Sequence, residues 1–157
     1  MLKIRLLGGV QITLDDKPLK GLSSKKAVAL LLYYEESLAI LQGLKADSIA
    51  AHPLSGLGRL ARDAGLYSGA LGYFQQAMRL LQLESNAPRV LNVLFEAATV
   101  LLPSEGHQTL AHTLLRLVKE HPKTDNETRL LAQAYQPAPA PTMSLSEVID
   151  VVLALEL

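Results

Sequence analysis

Residues 49–82, IAAHPLSGLGRLARDAGLYSGALGYFQQAMRLLQ, decide the fold. Apolar and small side chains at Leu57, Leu60, Ala61, Ala70, Phe74, Ala77 and Leu81 recur at three- and four-residue intervals, the period of an amphipathic helix. Gly65-Leu66-Tyr67 interrupts that period with a turn signal, so the spacing predicts one helix over 54–64, with Ile49-Ala50-Ala51 as an alternative earlier start, and a second over 68–81. Gly58 and Ala61 let the two backbones approach, and Phe74 fills the space between them. The unit is an αα-hairpin, which buries its apolar seam by packing beside similar hairpins.

Downstream, the loop signal Glu84-Ser85-Asn86-Ala87-Pro88 precedes a helix over 89–102, closed by Pro103 and Gly106. Helical spacing resumes over 109–120. Thr124-Asp125-Asn126-Glu127 has capping-box spacing ahead of a short helix over 125–135. Residues 136–143 alternate proline with alanine and predict an extended linker, and Ser144-Leu145-Ser146-Glu147 caps a terminal helix within 144–157. That helix either seals the end of the array or meets a partner. Upstream, residues 24–42 read as one long helix. Alternation of Ile4, Leu6, Val10, Ile12 and Leu14 around Gly8-Gly9 predicts a β-hairpin over 3–7 and 10–14, with Leu19 as a short third strand. Mainly α, the chain is expected to stack antiparallel helical hairpins behind this small N-terminal β-hairpin or three-stranded sheet.

Tyr34 and Phe74 are 40 residues apart, and Gly65 and Gly106 are 41 apart, so aromatic, small and glycine roles recur in order. With Leu57-Gly58, Ala61, Gly65, Tyr67, Ala70, Phe74 and Ala77 in the central unit, residues 30–157 resemble the tetratricopeptide repeat family, in particular the divergent longer repeats of large bacterial regulatory proteins. Departures are Leu54 at the position of a large aromatic, no proline between the second helix and Pro88, and Thr99 where the family prefers glycine. The resemblance implies a superhelical array over 34–135. Its first helices would line a concave face, where Ser55, Arg59, Arg62 and Asp63 are candidate protein-binding residues. Solvation of that face is the plainer role for Arg59, Arg62 and Asp63.

Residues 1–33 resemble the opening of the winged-helix domain in bacterial transcriptional activators of the antibiotic-regulatory type, through Leu2 to Gly9, Val10 to Leu14, Asp16-Lys17-Pro18-Leu19 and Ser23 to Leu32. The chain then passes directly into repeat-like residues, leaving no room for a recognition helix or a wing, so no base-reading residues are carried over. A hybrid of one regulator's beginning and its own C-terminal repeats would explain both likenesses.

Of 15 basic and 15 acidic residues, the first 33 positions hold six basic and two acidic, leaving nine and thirteen for the remainder. The positive head makes Lys25 and Lys26 candidate DNA-backbone contacts. With no cysteine, disulfide and thiolate chemistry are excluded. His52, His107, His112 and His121 form no metal-ligand spacing, Asp15-Asp16 reads as a turn before Pro18, and Gly8-Gly9 lacks the Lys-Ser/Thr of a phosphate loop. No cofactor is expected, and no apolar run is long enough to span a membrane. The expectation is a cytoplasmic, non-enzymatic scaffold with a protein or peptide partner. The competing expectation is a DNA-binding regulator using the basic head, and homo-oligomerisation is left open.

Overall fold

The structure is a computed structural model and describes residues 2–5, 11–14, 17–18, 25–44, 47–83, 86–136 and 138–157. Side chains are described from residue 27 onward, apart from 42, 45–48, 83–85 and 137. Backbone at β1 (Leu2–Arg5), β2 (Gln11–Leu14) and β3 (Lys17–Pro18) is paired antiparallel in that order, with Ile4 opposite Ile12. Seven helices follow among the described residues: α1 (Lys25–Gly43), α2 (Asp47–Asp63), α3 (Tyr67–Leu83), α4 (Ala87–Leu101), α5 (Gln108–Glu120), α6 (Asn126–Ala134) and α7 (Leu145–Ala154).

From α1 to α6 each helix packs on the next, and α2 also touches α4 as α4 touches α6. The result is a row of antiparallel hairpins in which α2, α4 and α6 lie side by side. The α2–α3 turn shows why the chain reverses there. Leu66 N–H donates to Ala61 O at 2.9 Å and Gly65 N–H to Arg62 O at 2.8 Å, which satisfies the last carbonyls of α2. Gly65 closes the motif at φ +77°, a left-handed conformation that costs a side-chain-bearing residue about 1 kcal/mol or more. Gly106 repeats the device at φ +81° between α4 and α5.

Two aromatic rings clamp α2 from opposite neighbours. A Cβ at Gly58 would lie 2.5 Å from Phe74 Cε1, so only glycine lets this fully buried ring rest on the α2 backbone. On the α1 side, the ring of Tyr34 lies in the same way against Gly56. Phe74, Ala77, Met78 and Leu81 run into one continuous core with Leu91, Leu94, Ala98 and Leu101 of α4 and Leu114, Leu115 and Val118 of α5.

The third strand, expected at Leu19, falls at Lys17–Pro18, and Leu19 itself lies outside the described residues. Beyond shifts of a residue or two at other element ends, one helix start and one cap also differ from the sequence expectation. The helix expected from residue 54 begins at Asp47 and carries Pro53 inside it. Proline forfeits the hydrogen bond to the Ile49 carbonyl, but Ile49 is exposed and water can serve that group. The cap of α6 is Asp125, not Thr124: Asp125 Oδ1 accepts from Thr128 N–H at 2.9 Å and Oδ2 from Thr128 Oγ1 at 2.8 Å. Buried Thr124 Oγ1 has no hydrogen-bond partner.

Asp125→Ala is expected to cost about 1 kcal/mol of stability. Its carboxyl pKa lies below the ordinary 3.8, chiefly because the Thr128 N–H bonds the charged form. The cap's charged contribution is therefore complete above pH 3.8 and lost as pH falls through the lowered folded value. Urea melts across that range check it, with Asp125→Asn retaining the cap but not its acid sensitivity.

α7 does not extend the row. The linker crosses α5, where Ala138 N–H donates to His112 Nδ1 at 3.2 Å and Arg116 Nη2 to Thr142 Oγ1 at 2.8 Å. Ser144 and Glu147 then form a reciprocal capping box, and α7 lies back on α3 with Val148, Ile149 and Val152 buried. Gln75 Nε2 of α3 donates to the carbonyls of Val152 and Leu155, at 2.9 and 2.8 Å, closing the end of that helix.

Candidate protein-interaction surface

With α7 covering part of the other side, the face made by α2, α4 and α6 is left open, and α1 walls one edge of it. Two hollows open there. The first, about 730 Å³, lies among α1, α2 and α4 and is lined by Tyr33, Ile40, Ile49, Arg59, Arg89 and Asn92 among others. The second, about 690 Å³, lies where α2, α4 and α6 meet and is lined by Arg62, Tyr67, Phe95, Glu96, Leu131 and Tyr135 among others.

A charged bridge separates them. Glu96 sits within the apolar run of α4 and is itself buried, so its carboxylate has to be paired. Arg62 of α2 meets Glu96 Oε2 at 2.6 Å and Thr99 Oγ1 at 2.9 Å, while Arg59, one turn earlier, stands 3.7 Å from Oε1. Burial works against the Arg62 charge, but Glu96 and then Asp63 outweigh it and leave the guanidinium pKa raised.

Arg62 and Arg59 thereby tie α2 to α4 across the face. Glu96→Ala strands a half-buried guanidinium and is expected to cost about 2 kcal/mol, below the 3–5 of a fully buried pair because Arg62 keeps some contact with water. Glu96→Gln, which keeps the shape and a hydrogen-bond acceptor, should cost about half as much. Chemical denaturation of both variants checks the order.

The candidate residues named from sequence separate on inspection. Ser55 is half-buried, lines the first hollow and donates its hydroxyl to Ala51 O at 2.8 Å. Arg59 lines the same hollow with 40% of its side chain exposed. Arg62 is engaged by Glu96 and Thr99 and lines the second hollow, and exposed Asp63 is bound to it at 3.0 Å. Lys25 and Lys26 open α1, but their side chains lie outside the described residues.

Glu96, Arg89 and Asn92 were not among the candidates. Glu96 had a legible signal, a lone carboxylate inside Val93-Leu94-Phe95-Glu96-Ala97-Ala98. Asn92 had none: its Nδ2 donates to Thr128 Oγ1 at 3.0 Å, 36 residues away, and so carries the α6 cap back to α4.

The histidines have local roles. His52 lies edge-on to Tyr34, His112 accepts from the linker, and His121 Nδ1 accepts from Lys123 N–H at 3.2 Å. Among the described residues no group of three or more His, Asp or Glu is arranged to hold a metal ion, and no helix is long and apolar enough to cross a membrane. The chain matches no protein-family model, no curated protein and no solved structure.

Proposed function

We propose that this chain is a non-enzymatic helical-repeat scaffold that holds a protein or peptide partner in the hollow bounded by α1, α2 and α4. The array is read as tetratricopeptide-like, part of a cytoplasmic bacterial transcriptional regulator whose opening strands belong to a shortened winged-helix head. One observation carries the docking reading. Tyr33, Ile40 and Ile49 are 59%, 55% and 57% exposed around a single concavity, although burying each would be worth roughly 1.5–3 kcal/mol. Clustered apolar side chains left in water at a concave site are what a partner covers.

The test is binding of peptides selected by the full chain from a random library, followed by fluorescence anisotropy. Ile40→Asp and Ile49→Asp should each weaken binding about tenfold or more, because each places a charge in the contact. Retained binding in both variants would contradict the reading.

The uneven charge of the head supports a second reading, a DNA-binding regulator in which Lys25 and Lys26 meet phosphates. That reading expects duplex binding that weakens steeply with salt and is lost without residues 1–33. Binding that is absent at low salt contradicts it.

A further inference from the structure

We infer that the partner held in the first hollow presents a carboxylate beside an apolar anchor; this rests on the docking reading above and deepens it. The argument is one of unspent charge. Two arginines and one carboxylate are among the residues lining the hollow. The carboxylate, Asp125, accepts from Thr128 with each oxygen as the cap of α6 and keeps its charge, so the lining holds two cations against one anion.

The two arginines are not engaged to the same degree. Arg59 reaches only the far oxygen of Glu96, at 3.7 Å, while Arg62 holds the other at 2.6 Å, so most of that carboxylate's pairing is already claimed. Arg89 is exposed at the start of α4, and its guanidinium makes no hydrogen bond or ion pair among the described residues. The same lining includes apolar side chains, the buried Leu81 and Val93 and the exposed Ile40 and Ile49. A basic segment would meet two like charges there, and a purely apolar one would leave both guanidinium groups facing grease. An apolar side chain flanked by Asp or Glu satisfies wall and rim together.

The test pans random dodecapeptides on the immobilised full chain at low salt. Enriched peptides should carry Asp or Glu next to an aromatic or branched aliphatic residue. Replacing those acids by their amides should weaken binding about five- to tenfold, with the gap shrinking as salt is added. Arg59→Gln combined with Arg89→Gln, with folding checked by circular dichroism, should erase that gap.

Enriched peptides without acids, or an acid-to-amide swap with no effect while Ile40→Asp still abolishes binding, would overturn the acidic partner and keep the hollow. Indifference to both Ile40→Asp and Ile49→Asp, or no enrichment at all, would overturn both. Sedimentation of the chain alone should give a monomer; a dimer dissolved by Ile40→Asp would identify the occupant as a second copy and overturn the inference.

Discussion

Phe74→Ala is expected to lower the unfolding free energy by about 3–5 kcal/mol, the range for emptying a fully buried aromatic position. The ring is wholly inaccessible, seated between α2 and α3 where the hairpin's apolar seam is tightest. Its partner change is more diagnostic. In an exposed helix Gly→Ala gains up to about 1 kcal/mol, but at Gly58 the added methyl would stand 2.5 Å from Cε1 and 2.8 Å from Cδ1 of that ring. Gly58→Ala alone should therefore be destabilising, by roughly 2–3 kcal/mol. In a Phe74→Ala background the same change should become neutral or stabilising, because the obstruction is gone. A double-mutant cycle by urea denaturation, with a coupling above about 2 kcal/mol, would place the two residues in direct contact.

Removing residues 137–157 should have an effect of similar size. Val148, Ile149 and Val152 are buried against the row, and three such side chains correspond to roughly 5–8 kcal/mol of transfer free energy before the ordering entropy of linker and helix is subtracted. A net loss of about 3–5 kcal/mol is expected, together with binding of a hydrophobic dye to the uncovered α3 surface. Gln75→Ala, which removes the side-chain donor to the Leu155 carbonyl and one of two donors to that of Val152, should give a smaller loss of about 1–2 kcal/mol and no dye binding. A truncated chain with unchanged stability would mean that α7 is a passenger on α3 and not part of its core.

The hairpin was legible because its determinants are local: Gly65 at the reversal, Gly58 opposite Phe74, and small residues on the helical period. The start of α2 was not, since Pro53 argues against a helix interior, and only the packing of Ala50, Ala51 and Leu54 outweighs it. Thr124 and Asp125 both satisfy the rules for a cap, and the choice between them falls to Thr128, whose side chain Asn92 fixes from another helix. Repetition pointed to the face on which Arg59 and Arg62 lie. That they converge on Glu96 was out of reach, because the pairing links positions 34 and 37 residues apart through tertiary packing. The return of α7 to α3 depends on the path of a proline-rich linker, which sequence periodicity does not encode.

Because the chain has no cysteine of its own, single cysteines can report on the open face one position at a time. The most direct test of the docking account is the maleimide labelling rate of an Ile40→Cys variant, with Gln76→Cys on exposed α3 surface as reference, before and after saturation with a selected peptide. The account predicts fast labelling at both positions in the free protein and protection at residue 40 alone when the peptide is bound. Equal rates at residue 40 with and without bound peptide would contradict it.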